Sequence, residues 1–106
     1  MARGGELKGR MKKRAARAGS GAPESVMQPE FLEDLAHWAA TDPKMVQKVL
    51  DFTREVMRTP TAGRGKPEQL KHVGPGVWSR RLTKEHRLTY LVRPDRIDFL
   101  QCRFHY

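Results

Sequence analysis

The residues able to do chemistry cluster in the last third of the chain. Glu68 sits in Lys66-Pro67-Glu68-Gln69-Leu70-Lys71-His72 and is the lone acid between Glu55 and Glu85. Arg81 and Arg87 follow in Trp78-Ser79-Arg80-Arg81 and Glu85-His86-Arg87-Leu88, and His105 in Arg103-Phe104-His105-Tyr106. Cutting an RNA strand without a metal takes three groups. A base accepts the 2′-OH proton, a cation stabilises the charged phosphorane, and an acid protonates the leaving 5′-oxygen. Carboxylate, arginine and histidine are the side chains that do these jobs. No serine or cysteine constellation competes, because Cys102 falls on the apolar side of its stretch. The four histidines (His37, His72, His86, His105) lack paired ligand spacing. No metal site and no cofactor are therefore predicted.

Three strands position these groups: Val77–Leu82, Arg87–Arg93 and Ile97–Phe104. Strand alternation puts Arg81, Arg87, Arg103 and His105 on one face. It puts Leu88, Tyr90, Val92, Leu100, Cys102 and Phe104 on the other. The cationic face reads either as a solubilising outer surface or as a cradle for a phosphodiester backbone. Thr83-Lys84-Glu85-His86 is a hairpin-sized connection, and Pro94-Asp95 makes the next turn. His72 and His86 lie in polar surroundings and read as solvent-facing. Upstream, residues 25–28 read as a short edge strand. Phe31, Leu32, Leu35 and Trp38 mark one face of a helix from Pro29 to Ala40. Asp42-Pro43 restarts a second helix as an N-cap acid followed by proline. Its stripe is Val46, Val49, Leu50, Thr53, Val56 and Met57, and Pro60 ends it. Residues 60–76 are a Gly/Pro-rich loop that carries Glu68. The pattern is α+β: two N-terminal helices packed on one face of a small antiparallel sheet, with the Arg/His face left open.

Composition bounds the rest. The chain has 106 residues, with 21 Lys/Arg against 12 Asp/Glu and a formal charge of +9. That balance favours a polyanionic partner, with nucleic acid the commonest. A lone cysteine fits a reducing compartment. No run approaches the roughly 20 apolar residues of a membrane helix, so a cytoplasmic location without membrane attachment is expected. Residues 1–24 hold Arg3, Lys8, Arg10, Lys12, Lys13, Arg14 and Arg17, few large apolar residues, and a Gly/Ser/Ala/Pro linker. They read as a basic, disordered N-terminal extension preceding a folded domain over 25–106. In a functional reading they form an electrostatic arm that strengthens RNA binding in a salt-sensitive way.

Gly65-Lys66-Pro67-Glu68, Leu70-Lys71, Trp78-Ser79-Arg80-Arg81, Glu85-His86-Arg87-Leu88, Tyr90 and Arg103-Phe104-His105-Tyr106 together resemble the YoeB toxin family of the RelE superfamily. The resemblance covers about residues 25–106. It implies the RelE-like microbial RNase fold and a type II toxin that cuts mRNA in the ribosomal A site, leaving a 2′,3′-cyclic phosphate and a 5′-hydroxyl. By matching positions it implies Glu68 as general base, His105 as general acid and Arg87 as transition-state stabiliser, with Tyr106 positioning the base or phosphate. Lys71 and Arg81 would bind phosphate, with Lys66 and Arg103 as further RNA contacts. The implied partners are the bacterial ribosome with its mRNA, a YefM/Phd-type antitoxin and a second copy of the chain. Operator DNA would be bound only through the antitoxin complex. Gln69 stands where the family often has proline, and Phe104 where it often has tyrosine. Two other readings stay open: a toxin of the same fold that acts on DNA gyrase by binding, and a catalytically silent nucleic-acid-binding regulator.

Overall fold

Residues 4–104 are described by the computed structural model. In chain order the elements are α1 (Gly4–Ala18), β1 (Glu24–Met27), α2 (Pro29–Thr41), α3 (Pro43–Arg58), β2 (Glu68–Gln69), β3 (Val77–Arg81), β4 (Arg87–Val92) and β5 (Arg96–Gln101). The strands make one sheet in the order β1-β5-β4-β3-β2. The pairs β2–β3, β3–β4 and β4–β5 are antiparallel, as expected of short connections. β1 runs parallel to β5, so the sheet is mixed where the sequence predicted an antiparallel one. β1 is separated from its partner by two helices and three strands. No hairpin ties it to the antiparallel sense.

Proline occupies the first turn of both α2 and α3, where its missing N–H costs nothing. Asp42 sits between them, but its side chain makes no capping hydrogen bond. It works through its backbone, donating its N–H to Trp38 O and accepting from the Met45 N–H. The buried face of α3 is Met45, Val49, Phe52, Thr53 and Val56. The predicted stripe was therefore rotated by about one residue, and Val46, Leu50 and Met57 are only half-buried. In α2, Phe31 and Trp38 are buried while Leu32 stays half exposed. These helices cover the sheet face that carries Leu88, Tyr90, Ile97 and Phe99.

The basic N-terminal segment is helical over Gly4–Ala18, where the sequence reading had a disordered extension. Its Ala, Lys, Arg, Leu and Met are strong helix formers. Glu6 in the first turn and Arg17 in the last agree with the helix dipole. None of its residues is buried, so local propensity and not a core specifies it.

The third strand of the last third ends at Gln101 rather than Phe104. Beyond it the backbone leaves the ladder for side-chain partners. The Cys102 N–H donates to the Asp34 carboxylate at 3.0 Å, and the Cys102 carbonyl accepts from Trp38 Nε1 at 3.0 Å. Phe104 then takes a positive φ of 62° and is 58% exposed, not on the apolar face assigned to it.

Arg80 is the other unexpected feature. Its side chain is fully buried on the helical side of β3. There it donates to the carbonyls of Thr59, Ala62 (2.8 Å) and Arg64 (3.5 Å), and to Tyr90 Oη (3.2 Å). Tyr90 in turn donates to Pro60 O at 2.5 Å. Glu55 lies 3.7 Å from the same guanidinium. The backbone N–H of Arg64 and then its guanidinium hold the Glu55 carboxyl below its ordinary range. One buried cation thus satisfies the carbonyls of the loop after α3, which otherwise lack a ladder to join. Gly65 completes that turn at φ +82°, where a Cβ would stand 2.7 Å from Arg81 O and 2.8 Å from the Phe52 ring. The loop delivers Lys66 and Glu68 to the far edge of the sheet.

Candidate active site

Glu68 does not lie in an irregular loop. It begins the two-residue edge strand β2 and is paired with Ser79 on β3. Ser79 faces Thr89 on β4, and Arg81 faces Arg87. Alternation puts Ser79 and Arg81 on the face opposite Arg80, and register brings Arg87 and Glu68 onto that same face. The result is a compact group. Arg87 Nη1 donates to Glu68 Oε2 at 3.1 Å and to Ser79 Oγ at 3.0 Å. The Arg87 side chain is 20% exposed and that of Glu68 62%. The guanidinium is held from beneath while the carboxylate stands in solvent. Ser79 and Thr89 are fully buried below, and Thr89 Oγ1 has no hydrogen-bond partner among the described residues.

Arg81 is exposed beside Arg87, and Lys66 and Lys71 are exposed on either side of β2. Lys66 takes a positive φ of 49° just before the strand. The backbone thus sets Lys66 before β2, Lys71 after it and Arg81 opposite Arg87. Arg103 departs from the predicted strand face, and its guanidinium lies over the Phe104 ring, 4.5 Å from the centroid. His105 and Tyr106 lie outside the described residues. Phe104, just before them, is held by two hydrogen bonds. The Phe104 carbonyl accepts the Arg87 N–H at 3.0 Å, and the Phe104 N–H donates to His86 Nδ1 at 2.9 Å. His86, expected to face solvent, is half-buried edge-on against Trp38, with ring centroids 4.7 Å apart. The chain segment leading to His105 is thus clamped to the strand that carries Arg87.

Sequence reasoning missed Ser79, His86, Trp38 and Asp34 as supports of this group. Only the cross-strand register and the helix–strand packing bring them to it. Ser79 had one legible signal, its place in the Trp78-Ser79-Arg80-Arg81 motif, two positions before Arg81. Cys102 is fully buried, and burial, reinforced by the Asp34 charge, pushes its thiol up to about 12. A cavity of about 580 Å³ lies elsewhere, along α3 between Asp51, Arg54, Met57, Arg58 and Arg64. The Glu68–Arg87 face is instead an open surface, suited to an extended ligand. Among the described residues no cluster of His, Cys, Asp or Glu could hold a metal ion, and no helix is long and apolar enough to cross a membrane.

Residues 27–106 match the model of the YoeB-like toxin of bacterial type II toxin-antitoxin systems. The chain is 43% identical to the toxin YoeB of Escherichia coli K12 over 81 residues, spanning 76% of this chain and 96% of that protein. Its fold is similar to that of the YoeB dimer from Staphylococcus aureus, at 35% identity and a TM-score of 0.73, covering 80% and 99% of the two chains. It is also similar to the toxin in a heterotetrameric YoeB-YefM complex from the same organism, at 35% identity and a TM-score of 0.69, covering 79% and 98%. With an α+β architecture of this kind and a family match over residues 27–106, the chain belongs to the YoeB-like toxin family of bacterial type II toxin–antitoxin systems.

Proposed function

We propose that this toxin is a ribosome-dependent endoribonuclease that cuts mRNA in the A site without a metal. The observation that carries the reading is the Glu68–Arg87–Ser79 group on an open cationic face. A binding surface needs cations, but it does not need a solvent-exposed carboxylate tethered to the cation that would meet the phosphate. In the proposed reaction Glu68 accepts the 2′-OH proton. The 2′-oxygen attacks phosphorus, and the P–O5′ bond breaks as His105 protonates the leaving 5′-oxygen. The products are a 2′,3′-cyclic phosphate and a 5′-hydroxyl. Arg87 stabilises the phosphorane, freed toward it when Glu68 becomes protonated and its hold on the guanidinium weakens. Ser79 keeps Arg87 oriented through that change. Arg81, Lys71, Lys66 and Arg103 bind the RNA backbone, and Tyr106 positions the base or scissile phosphate.

Among the described residues, the solvent-exposed Glu68 and Arg81 leave this face open to an extended RNA. The ribosome holding the message supplies the in-line orientation. Control follows the same family logic. A YefM/Phd-type antitoxin folds its C-terminal segment over the toxin, which forms a homodimer. Toxin and antitoxin together repress their operon, so operator DNA is met only through the complex. The reading places the chain in the cytoplasm, with no membrane partner.

The test is primer extension on a defined mRNA, with and without bacterial ribosomes holding an empty A site, using this chain and a His105→Ala variant. A cut within the A-site codon that needs both ribosome and His105 is expected. Absence of cutting in every condition would overturn the nuclease reading. Equal cutting of free RNA would remove the ribosome as activator.

A further inference from the structure

The element lying outside the family match is also the most charged. α1 carries Lys8, Arg10, Lys12, Lys13, Arg14 and Arg17 against the single acid Glu6, and every one of these residues is exposed. The cations are not evenly spread. At helical spacing Arg10, Lys13, Arg14 and Arg17 fall at i, i+3, i+4 and i+7, which makes one stripe. Leu7, Met11, Ala15 and Ala18 make the neighbouring stripe, with Leu7 50% and Met11 61% exposed. From Arg10 to Arg17 the stripe spans roughly 10 Å along the axis. Arg14, Arg17 and Ala18 line a crevice of about 270 Å³ with Ala22, Glu24 and Ser25 at the β1 edge.

This placement matters because β1 and β2 are opposite edges of the sheet. Glu68 is four strand spacings from β1, roughly 19 Å. Arg14 and Arg17, which line the crevice at β1, therefore lie toward the sheet edge opposite Glu68 and away from the scissile phosphate.

We infer that α1 is a second RNA-binding surface, whose Arg10-Lys13-Arg14-Arg17 stripe docks on the phosphate backbone of ribosomal RNA flanking the cleaved message. The inference rests on the ribosome-dependent reading for the identity of that RNA. The chemistry of the helix selects nucleic acid over other partners. A helix lying in a membrane needs a broad apolar face, and here two large apolar side chains are all there is. A helix seated in a protein groove needs apolar anchors along its contact face. A dense same-sign stripe with little apolar area is what phosphate neutralisation requires. Because it is joined covalently to the chain that carries the Glu68 face, such a surface raises affinity by making the second contact intramolecular. It acts on binding and leaves the chemical step alone.

The experiment measures binding to bacterial ribosomes as a function of salt. The chain carries Glu68→Gln throughout so that the message stays intact. It is compared with the same chain bearing Arg10→Gln, Lys13→Gln, Arg14→Gln and Arg17→Gln together. Glutamine keeps the helix propensity. A further variant has Arg10→Lys, Arg14→Lys and Arg17→Lys and retains the charge. Each phosphate contact contributes about 0.7–0.9 to the slope of log K against log salt. Losing four of them should flatten the slope by about 3. The affinity gap between parent and glutamine variant should then shrink roughly fifty- to one-hundred-fold from 50 to 200 mM salt. The lysine variant should follow the parent. Equal slopes for parent and glutamine variant would overturn the inference. So would equal slopes with a loss of antitoxin binding or of binding to anionic phosphatidylserine vesicles. The cleavage reading fails separately: a parent chain with the steep slope but no A-site cut by its Glu68 form keeps the α1 surface and discards the nuclease.

Discussion

Arg80 and Arg81 are chemically identical neighbours, and the structure assigns them opposite consequences on mutation. Arg80→Met keeps the aliphatic stem and deletes the guanidinium. The carbonyls of Thr59, Ala62 and Arg64, the Tyr90 hydroxyl and Glu55 all lose a partner together. Breaking a buried charged cluster from one side costs about 3–5 kcal/mol. Domains of this size have only about 5–15 kcal/mol in total. At about 4–8 °C per kcal/mol the melting temperature should fall by roughly 12–40 °C. Arg81→Met removes an exposed side chain, so stability should change by no more than about 0.5 kcal/mol. Under the proposed function it deletes a charge-assisted phosphate contact worth about 1.5–3 kcal/mol, a loss of roughly ten- to a hundredfold in kcat/KM. Urea unfolding followed by the fluorescence of Trp38 and Trp78 gives the first quantity, and ribosome-dependent primer extension the second. The reasoning is refuted if Arg80→Met costs less than about 1 kcal/mol, or if Arg81→Met is the less stable of the two.

His86→Leu removes the acceptor of the Phe104 N–H while keeping bulk against Trp38. It should cost about 1–2 kcal/mol in urea, with kcat falling at least tenfold and KM little changed, because the strap before His105 loosens. Cys102 should resist alkylation at pH 8 in the native protein and react at once in urea. A thiol pushed up to about 12 is ionised at only about one part in ten thousand there; native labelling within minutes would contradict the burial. Glu55 ionises below its ordinary 4.5 in the fold, so its contribution is complete above that value and drains away as pH falls through the folded value. Glu55→Gln should therefore lower the urea midpoint at pH 7, with the gap to the parent closing on acidification; a gap that widens toward pH 3 would reverse the sign.

Part of the candidate site's geometry was legible because it is local. Glu68 between lysines and the paired arginines around a hairpin are residue types at readable spacing, and the structure brings Glu68 and Arg87 together, while His105 and Tyr106 lie outside the described residues. The helix boundaries near Pro29, Pro43 and Pro60 were equally legible, since proline acts within a residue or two of itself. The spacing also put Arg81 and Arg87 on one face, and their cross-strand pairing bears that out.

What the sequence alone determined was the α+β alternation, the excess of positive charge, the motif that identifies the family, and the shared sheet face of Arg81 and Arg87. Only the tertiary structure decided that β1 pairs parallel with β5, that β2 carries Glu68 at the sheet edge, and that Phe104 leaves the ladder. It alone made Arg80 a buried tether and Arg81 an exposed cation. Periodicity gives the side of an element but not what waits there. The partners of Arg80 come from Glu55, the loop after α3, and Tyr90 on the neighbouring strand. No local rule links those positions, and they meet only when the helices close over the sheet and every buried donor must find an acceptor.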